Sequence, residues 1–234
     1  VLTIETTVED FLRSRGKKYR KEVERCFRLW EKEGAPRFER AITPEAVARG
    51  YSVLEEQQAA RHAALESKYI LDEPAYRAFY ERLVMDGTEC DLGYLFTLEA
   101  KGEVIATLFG IVHDGTFTLL RISNGGEKWS HLSPGRLIVV EAMKYFVDKG
   151  VRRFDMGIGD YPFKRGFGVT EVPLYDLIVA RDLAGHRLAL RTQLSRAKGL
   201  AEGGDLEAAQ AAVVSFLSIG EIRTTIENIQ SAPA

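Results

Sequence analysis

The sequence is poor in the residues that staple a chain or hold a metal. Its two cysteines, Cys26 and Cys90, stand far apart with no C-x-x-C pair, which excludes a disulfide framework and a thiolate zinc site. The four histidines, His62, His113, His131 and His186, share no ligand or triad spacing. No charge dominates: 32 Lys+Arg face 34 Asp+Glu, a net charge of −2. A surface built throughout for nucleic acid is thereby excluded, and any polyanion site must be local. The longest uncharged stretch, Ala208 to Gly220, is too short to span a bilayer, and the first residues carry neither the basic block nor the apolar core of a secretory signal. A reducing cytoplasm is the expected location. What is present is ample apolar material, 45% of 234 residues with 10% aromatic. That suits one domain of roughly 150–200 residues plus an accessory piece.

The first third is mainly helical. Between Thr7 and Gly34 the residues Phe11, Leu12, Tyr19, Val23, Cys26, Phe27 and Trp30 recur at three- and four-residue spacings, which predicts an amphipathic helix interrupted at Gly16. A short strand follows at Arg37 to Ile42. Thr43-Pro44 reads as the cap and first turn of a helix running through Ser67, and Asp72-Glu73-Pro74 opens another through Asp86. The period then changes. Residues 92–100, 103–113 and 116–123 read as strands separated by Lys101-Gly102 and Asp114-Gly115, dipeptides suited to two-residue hairpins. A helix over Pro134 to Lys149 and a strand over Val151 to Met156 complete a β-α-β unit, so strands 116–123 and 151–156 are expected to be parallel. A last strand is expected near Leu174 to Ala180. The fold class is α/β with a mixed sheet. Residues 1–181 form the main domain, helical to about residue 90 and sheet beyond it. Residues 182–234 form a helical tail, broken at Gly203-Gly204, whose Ala211 to Leu217 run suits packing against the domain, a second copy or a partner.

Three local patterns carry chemistry. Ser133-Pro134-Gly135-Arg136 opens the central helix: Ser is a good N-cap, Pro suits the first helical position and Gly admits a ligand to the backbone. The first-turn N–H groups have no intrahelical partners and attract anions. Arg136 opposes the helix dipole there, which fits either a bound anion or a neighbouring carboxylate. The glycine-rich run 157–168 fails as a nucleotide loop, because Pro162 stands where a dinucleotide fingerprint needs Gly and Phe163 precedes Lys164. Its glycines serve tight turns. Asp155 ends an apolar strand, where a carboxylate acts either as a hydrogen-bond hub or as a general base. The first helix is locally basic, with nine Lys/Arg against three Glu between Arg13 and Lys32. Interleaved acids favour a solvated face, and RNA, acidic glycan or headgroups are the other readings.

Ser133-Pro134-Gly135, then Lys149-Gly150, Phe154-Asp155-Met156-Gly157-Ile158-Gly159-Asp160 and Phe163-Lys164-Arg165 together resemble the CelD/BcsL acetyltransferases of cellulose and exopolysaccharide biosynthesis, a GNAT-type family related to the Fem aminoacyl transferases. The resemblance covers roughly residues 15–180 and is densest over 133–168. It implies a GNAT-like fold and acetyl transfer from acetyl-CoA, without a metal, to an amine or hydroxyl acceptor such as a polysaccharide precursor. It also implies a further amino-terminal half outside these 234 residues. Ser133, Pro134, Gly135 and Arg136 would hold the coenzyme's pyrophosphate, while Gly157 and Gly159 would shape the entry of its pantetheine arm. Lys164 and Arg165 would meet its 3′-phosphate or an acidic acceptor, or form a solvated pair. Asp155 would be the proton acceptor, Asp160 the alternative, and Tyr161 the acid that protonates the departing thiolate. Two departures stand out: the usual Q/R-x-x-G-x-G/A loop is incomplete, and Phe163 replaces the tyrosine expected before Lys164. They keep two other readings open, a Fem-like transferase using aminoacyl-tRNA and an inactive interaction module.

Overall fold

The computed structural model describes residues 1–159, 161–172, 183–202 and 204. The chain divides into two compact units, Val1–Val172 and Pro173–Ala234. In the second, the described residues form one helix, α7 (Leu183–Glu202). The strand expected near Leu174 to Ala180 lies outside the described residues.

The first unit opens with a two-residue strand, β1 (Leu2–Thr3), that the sequence reading did not anticipate. Helices α1 (Val8–Ser14) and α2 (Lys17–Lys32) follow, with the expected break at Gly16. Strand β2 (Arg37–Arg40) leads to α3 (Pro44–Ala64), which starts where Thr43 Oγ1 accepts the Ala46 N–H at 3.2 Å. A 3-10 turn at Ile70–Asp72 precedes α4 (Pro74–Glu89). Then come the meander strands β3 (Gly93–Ala100), β4 (Glu103–His113) and β5 (Thr116–Asn124). Both hairpin dipeptides have positive φ at each residue (51° and 77°, 46° and 65°), the backbone of type I′ turns. A 3-10 segment, Glu127–Leu132, occupies the expected loop and feeds α5 (Pro134–Asp148). The unit is completed by β6 (Arg153–Asp155), shorter than expected, and by the short α6 (Pro162–Gly166).

The six strands form one sheet in the order β1-β6-β5-β4-β3-β2. Every neighbouring pair is antiparallel except β5 and β6, which are parallel as the β-α-β reading requires. Helices α1, α2 and α5 cover one face, where Leu137, Ile138, Val140, Met143 and Phe146 are buried. Each such side chain contributes roughly 1.5–3 kcal/mol. Helices α3 and α4 cover the other face through a smaller cluster around Leu54, Val84, Leu95 and Phe109.

A bulge makes the two faces different. Phe109 pairs with Arg121 and Gly110 with Leu119, leaving Leu120 as an extra residue in β5. Before the bulge, Phe117 and Leu119 pack under α5. After it, Arg121 and Ser123 turn to α3. Gly110 is required at this crossing, since a Cβ there would lie 2.4 Å from the Phe117 ring and from the Thr118 carbonyl oxygen.

Candidate functional site

Strands β5 and β6 pair only from Thr116 to Thr118, and β5 then runs on to Asn124. The chain leaves β6 through Gly157, whose φ is +73° and whose missing Cβ would sit 2.6 Å from the Leu119 carbonyl oxygen. Only glycine accommodates both conditions. Near the far end of β5 lies a cavity of about 320 Å³, with Ser123, Asn124, Ser133, Gly135, Arg61 and Phe163 among its lining residues.

The start of α5 corrects the expected N-cap. Ser133 is left-handed (φ 52°, ψ 55°) and its side chain caps nothing. Its N–H donates to the Ser130 carbonyl at 3.0 Å, so the preceding 3-10 turn, rather than a hydroxyl, sets the entry of the chain. The Ser133 carbonyl accepts the Arg136 N–H at 2.9 Å and the Leu137 N–H at 3.3 Å. Pro134 has no N–H. The remaining first-turn donor is Gly135, in the cavity wall, where an added Cβ would meet only Ile122 Cδ1 at 3.8 Å. Among the described residues the Gly135 N–H has no hydrogen-bond partner, and such a donor at a helix start beside open space suits an anion.

Two arginines border this cavity in different ways. Arg136 donates to Glu22 Oε1 at 3.4 Å and lies 5.5 Å from the centre of the Tyr19 ring. Glu22 is held below the usual carboxylate range by Arg25 above all, with Arg136 adding to it. Burial pushes the Tyr19 phenol up, and Arg136 opposes that shift. A carboxylate on α2 thus accounts for the cation at this helix start. Arg61, near the end of α3, also lines the cavity, and among the described residues its side chain has no hydrogen bond or ion pair. The sequence reading missed it, because an arginine on an exposed helical stretch carries no local signal until the helix folds over β5.

The loop after β6 gathers the other expected residues. Asp155 is half-buried; its Oδ1 accepts the Gly157 N–H at 2.8 Å, and its second oxygen has no hydrogen bond among the described residues. Gly159 has φ +90°, with the Tyr161 ring against it. Tyr161 is 49% exposed and stacks on Phe163 at 6.3 Å between centres. Phe163 itself lines the cavity. Arg165 lies exposed on α6. Lys164 is not half of a solvated pair: it is 5% exposed, and its ammonium donates to the carbonyls of Gly157, Ile158 and Gly159 at 3.0, 2.7 and 3.0 Å. Asp160 lies outside the described residues.

Behind Ser123 the α3 face holds a polar network that sequence reasoning did not find. Ser123 Oγ and Thr107 Oγ1 are 2.6 Å apart, and Ser123 also donates to Gln57 Oε1 at 2.6 Å. Arg121, 5% exposed, donates to Gln58 Oε1 at 3.0 Å and to the Tyr69 phenol at 2.6 Å. The rings of Tyr51, Tyr69 and Tyr80 lie 5.2–5.9 Å from its guanidinium carbon. Burial, with nearby Glu55 adding, pushes the Tyr51 phenol up to about 12. Among the described residues no group of His, Cys, Asp or Glu could hold a metal, and no helix is long and apolar enough to cross a membrane.

The two parallel strands of this mixed sheet thus part beside the start of α5. The acetyltransferase (GNAT) domain family matches residues 17–165, most of the chain. The chain belongs to this family and is an acetyltransferase; GNAT acetyltransferases use acetyl-CoA. No curated protein matches it. Among solved structures it is similar to an aminoglycoside acetyltransferase from an uncultured soil metagenomic sample, in complex with trehalose, at 13% identity and a TM-score of 0.45, covering 62% of this chain and 97% of that one. It is also similar to a conserved protein of unknown function from Bacteroides thetaiotaomicron, at 13% identity and a TM-score of 0.46, covering 69% of this chain and 52% of that one.

Proposed function

We propose that the cavity at the start of α5 receives the phosphates of acetyl-CoA, and that the open edge of β5 receives its pantetheine amides. The observation that carries this reading is the unprovided Gly135 N–H, set in a cavity at the end of a strand whose parallel partner has stopped. Coenzyme A supplies an acyl group activated as a thioester. Gly135 and Arg61 offer a donor and a charge to the pyrophosphate, with Ser133, Pro134 and Arg136 shaping the wall. Arg165, on α6, meets the 3′-phosphate. Edge strands bind extended ligands through backbone N–H and C=O groups, a role open to β5 where β6 ends.

An amine or hydroxyl that attacks a thioester must lose a proton. Asp155 takes it through the oxygen that Gly157 leaves unused, directly or through one water, and Asp160 is the alternative acceptor. Tyr161 returns a proton to the departing sulfur from a ring stacked on Phe163. The acceptor we propose is a sugar hydroxyl or amine on a polysaccharide precursor, which rests on the CelD/BcsL resemblance of residues 133–168.

Two variants test the reading. Gly135→Asp has room to fold, since a Cβ meets only Ile122 at 3.8 Å, and it sets a carboxylate where the pyrophosphate would lie. Affinity for acetyl-CoA, measured by calorimetry, should fall at least about tenfold; unchanged affinity rejects the site. Asp155→Asn retains an oxygen for the Gly157 N–H and removes the base, so turnover should fall by about 10²–10⁴ with coenzyme affinity kept. Full turnover in that variant removes Asp155 from the chemistry.

A further inference from the structure

Three successive carbonyls seldom point at one another, because their oxygens repel. Here those of Gly157, Ile158 and Gly159 converge on the Lys164 ammonium, all within 3.0 Å. Positive φ at Gly157 and Gly159 makes the convergence sterically feasible. The Tyr161 ring, 5.1 Å from Nζ, adds an aromatic face to the same cup. On its other side this backbone gives the Gly157 N–H to Asp155. A buried cation and a half-buried carboxylate therefore grip one loop from opposite ends, at the crossing where Gly157 passes the Leu119 carbonyl.

We propose that Lys164 is a positioning residue whose ammonium fills a primary-ammonium site built from three loop carbonyls, and that through this loop it sets the orientation of the Asp155 carboxylate. The catalytic part rests on the reading of Asp155 given above; the cup itself does not. An ammonium suits the site because it is a compact charge whose N–H donors reach all three carbonyls, whereas a guanidinium is planar and wider. Nothing in this role requires Lys164 to touch substrate.

The test is chemical rescue of Lys164→Ala in the full chain. The variant should melt about 5 °C below wild type, and its turnover should fall by about 10²-fold with the KM for acetyl-CoA changed less than about threefold. Methylammonium, which carries three N–H donors on one small group, should restore both the melting temperature and turnover in a saturable way. Tetramethylammonium, which carries none, should restore neither. In Lys164→Met the side chain fills the space without a donor, so that variant should be impaired and indifferent to methylammonium. Equal responses to the two cations, or a Lys164→Met protein with wild-type melting and turnover, would overturn the proposal. If Lys164→Ala folds only when methylammonium is present during refolding, the cup is supported; if it fails even then, the Lys164→Met comparison decides. The melting arm needs no substrate, so it still reads the cup should acetyl-CoA prove not to bind. Thermal rescue without recovery of turnover would uphold the cup and reject its link to Asp155.

Discussion

The two faces of the sheet are held by different physics. Under α5 the contact is apolar: Phe117 and Phe146 lie 4.4 Å apart between ring centres, and Phe154 and Phe96 join them. Under α3, beside the apolar cluster around Leu54 and Phe109, the strand that supplies Phe117 also supplies Arg121 and Ser123, and there the packing runs through hydroxyls, amides and a guanidinium. One extra residue, Leu120, separates the two regimes. The helix starts differ in the same sense. Helix α3 opens on a hydroxyl that satisfies a backbone donor, whereas α5 opens on a left-handed serine that satisfies none with its side chain. The 3-10 turn before α5 sets where that helix begins, and among the described residues the Gly135 N–H of its first turn has no hydrogen bond.

The largest effect should come from making the polar face resemble the apolar one. Arg121→Leu leaves Gln58, Tyr51 and Tyr69 without their shared donor, and urea unfolding should show a loss on the order of 3 kcal/mol. A loss below about 1 kcal/mol would mean that the network is packing and nothing more. A smaller effect should appear in alkali. The Tyr51 phenol is pushed up to about 12, so the folded state favours the neutral form. Its contribution is full below the ordinary value near 10 and is lost as pH rises through about 12. Between those limits wild type should lose on the order of 1–2 kcal/mol more than Tyr51→Phe; parallel stability curves would contradict this. The smallest effect should be Ser133→Ala, under about 0.3 kcal/mol, beside about 1 kcal/mol for Thr43→Ala. Equal costs would erase the contrast between the helix starts.

What the sequence disclosed was whatever local chemistry decides. Lys101-Gly102 and Asp114-Gly115 announced their turns because few other residues accept positive φ twice in succession. Most of the apolar positions named in α2 are buried, since a period of 3.6 needs no partner to be read. Arg37 to Ile42 read as a strand, and most of it is one. Features set by distant residues were not legible. Ser133 looked like a cap because its composition is that of a cap; its conformation follows from the 3-10 turn before it. Strict alternation places Arg121 on the face of Leu119, and only the pairing of β5 with β4 reveals the bulge that moves it. The candidate site divides the same way. Gly135 and Asp155 were readable from helix and strand ends, whereas Arg61 and the buried role of Lys164 depend on elements that meet in space.

Strand β1 has a bearing on how the molecule behaves among its copies. Leu2 and Thr3 pair with Phe154 and Arg153, and the Ile4 N–H donates to the Arg152 carbonyl at 2.9 Å. This short ribbon covers the side of β6 that would otherwise present unpaired backbone to any neighbouring chain. Ile4, fully buried, pins it in place. The strand it shields ends at Asp155, so intermolecular pairing at that edge would stop one residue short of the carboxylate proposed above as the base. A few residues of main chain thus close a sheet edge directly before Asp155.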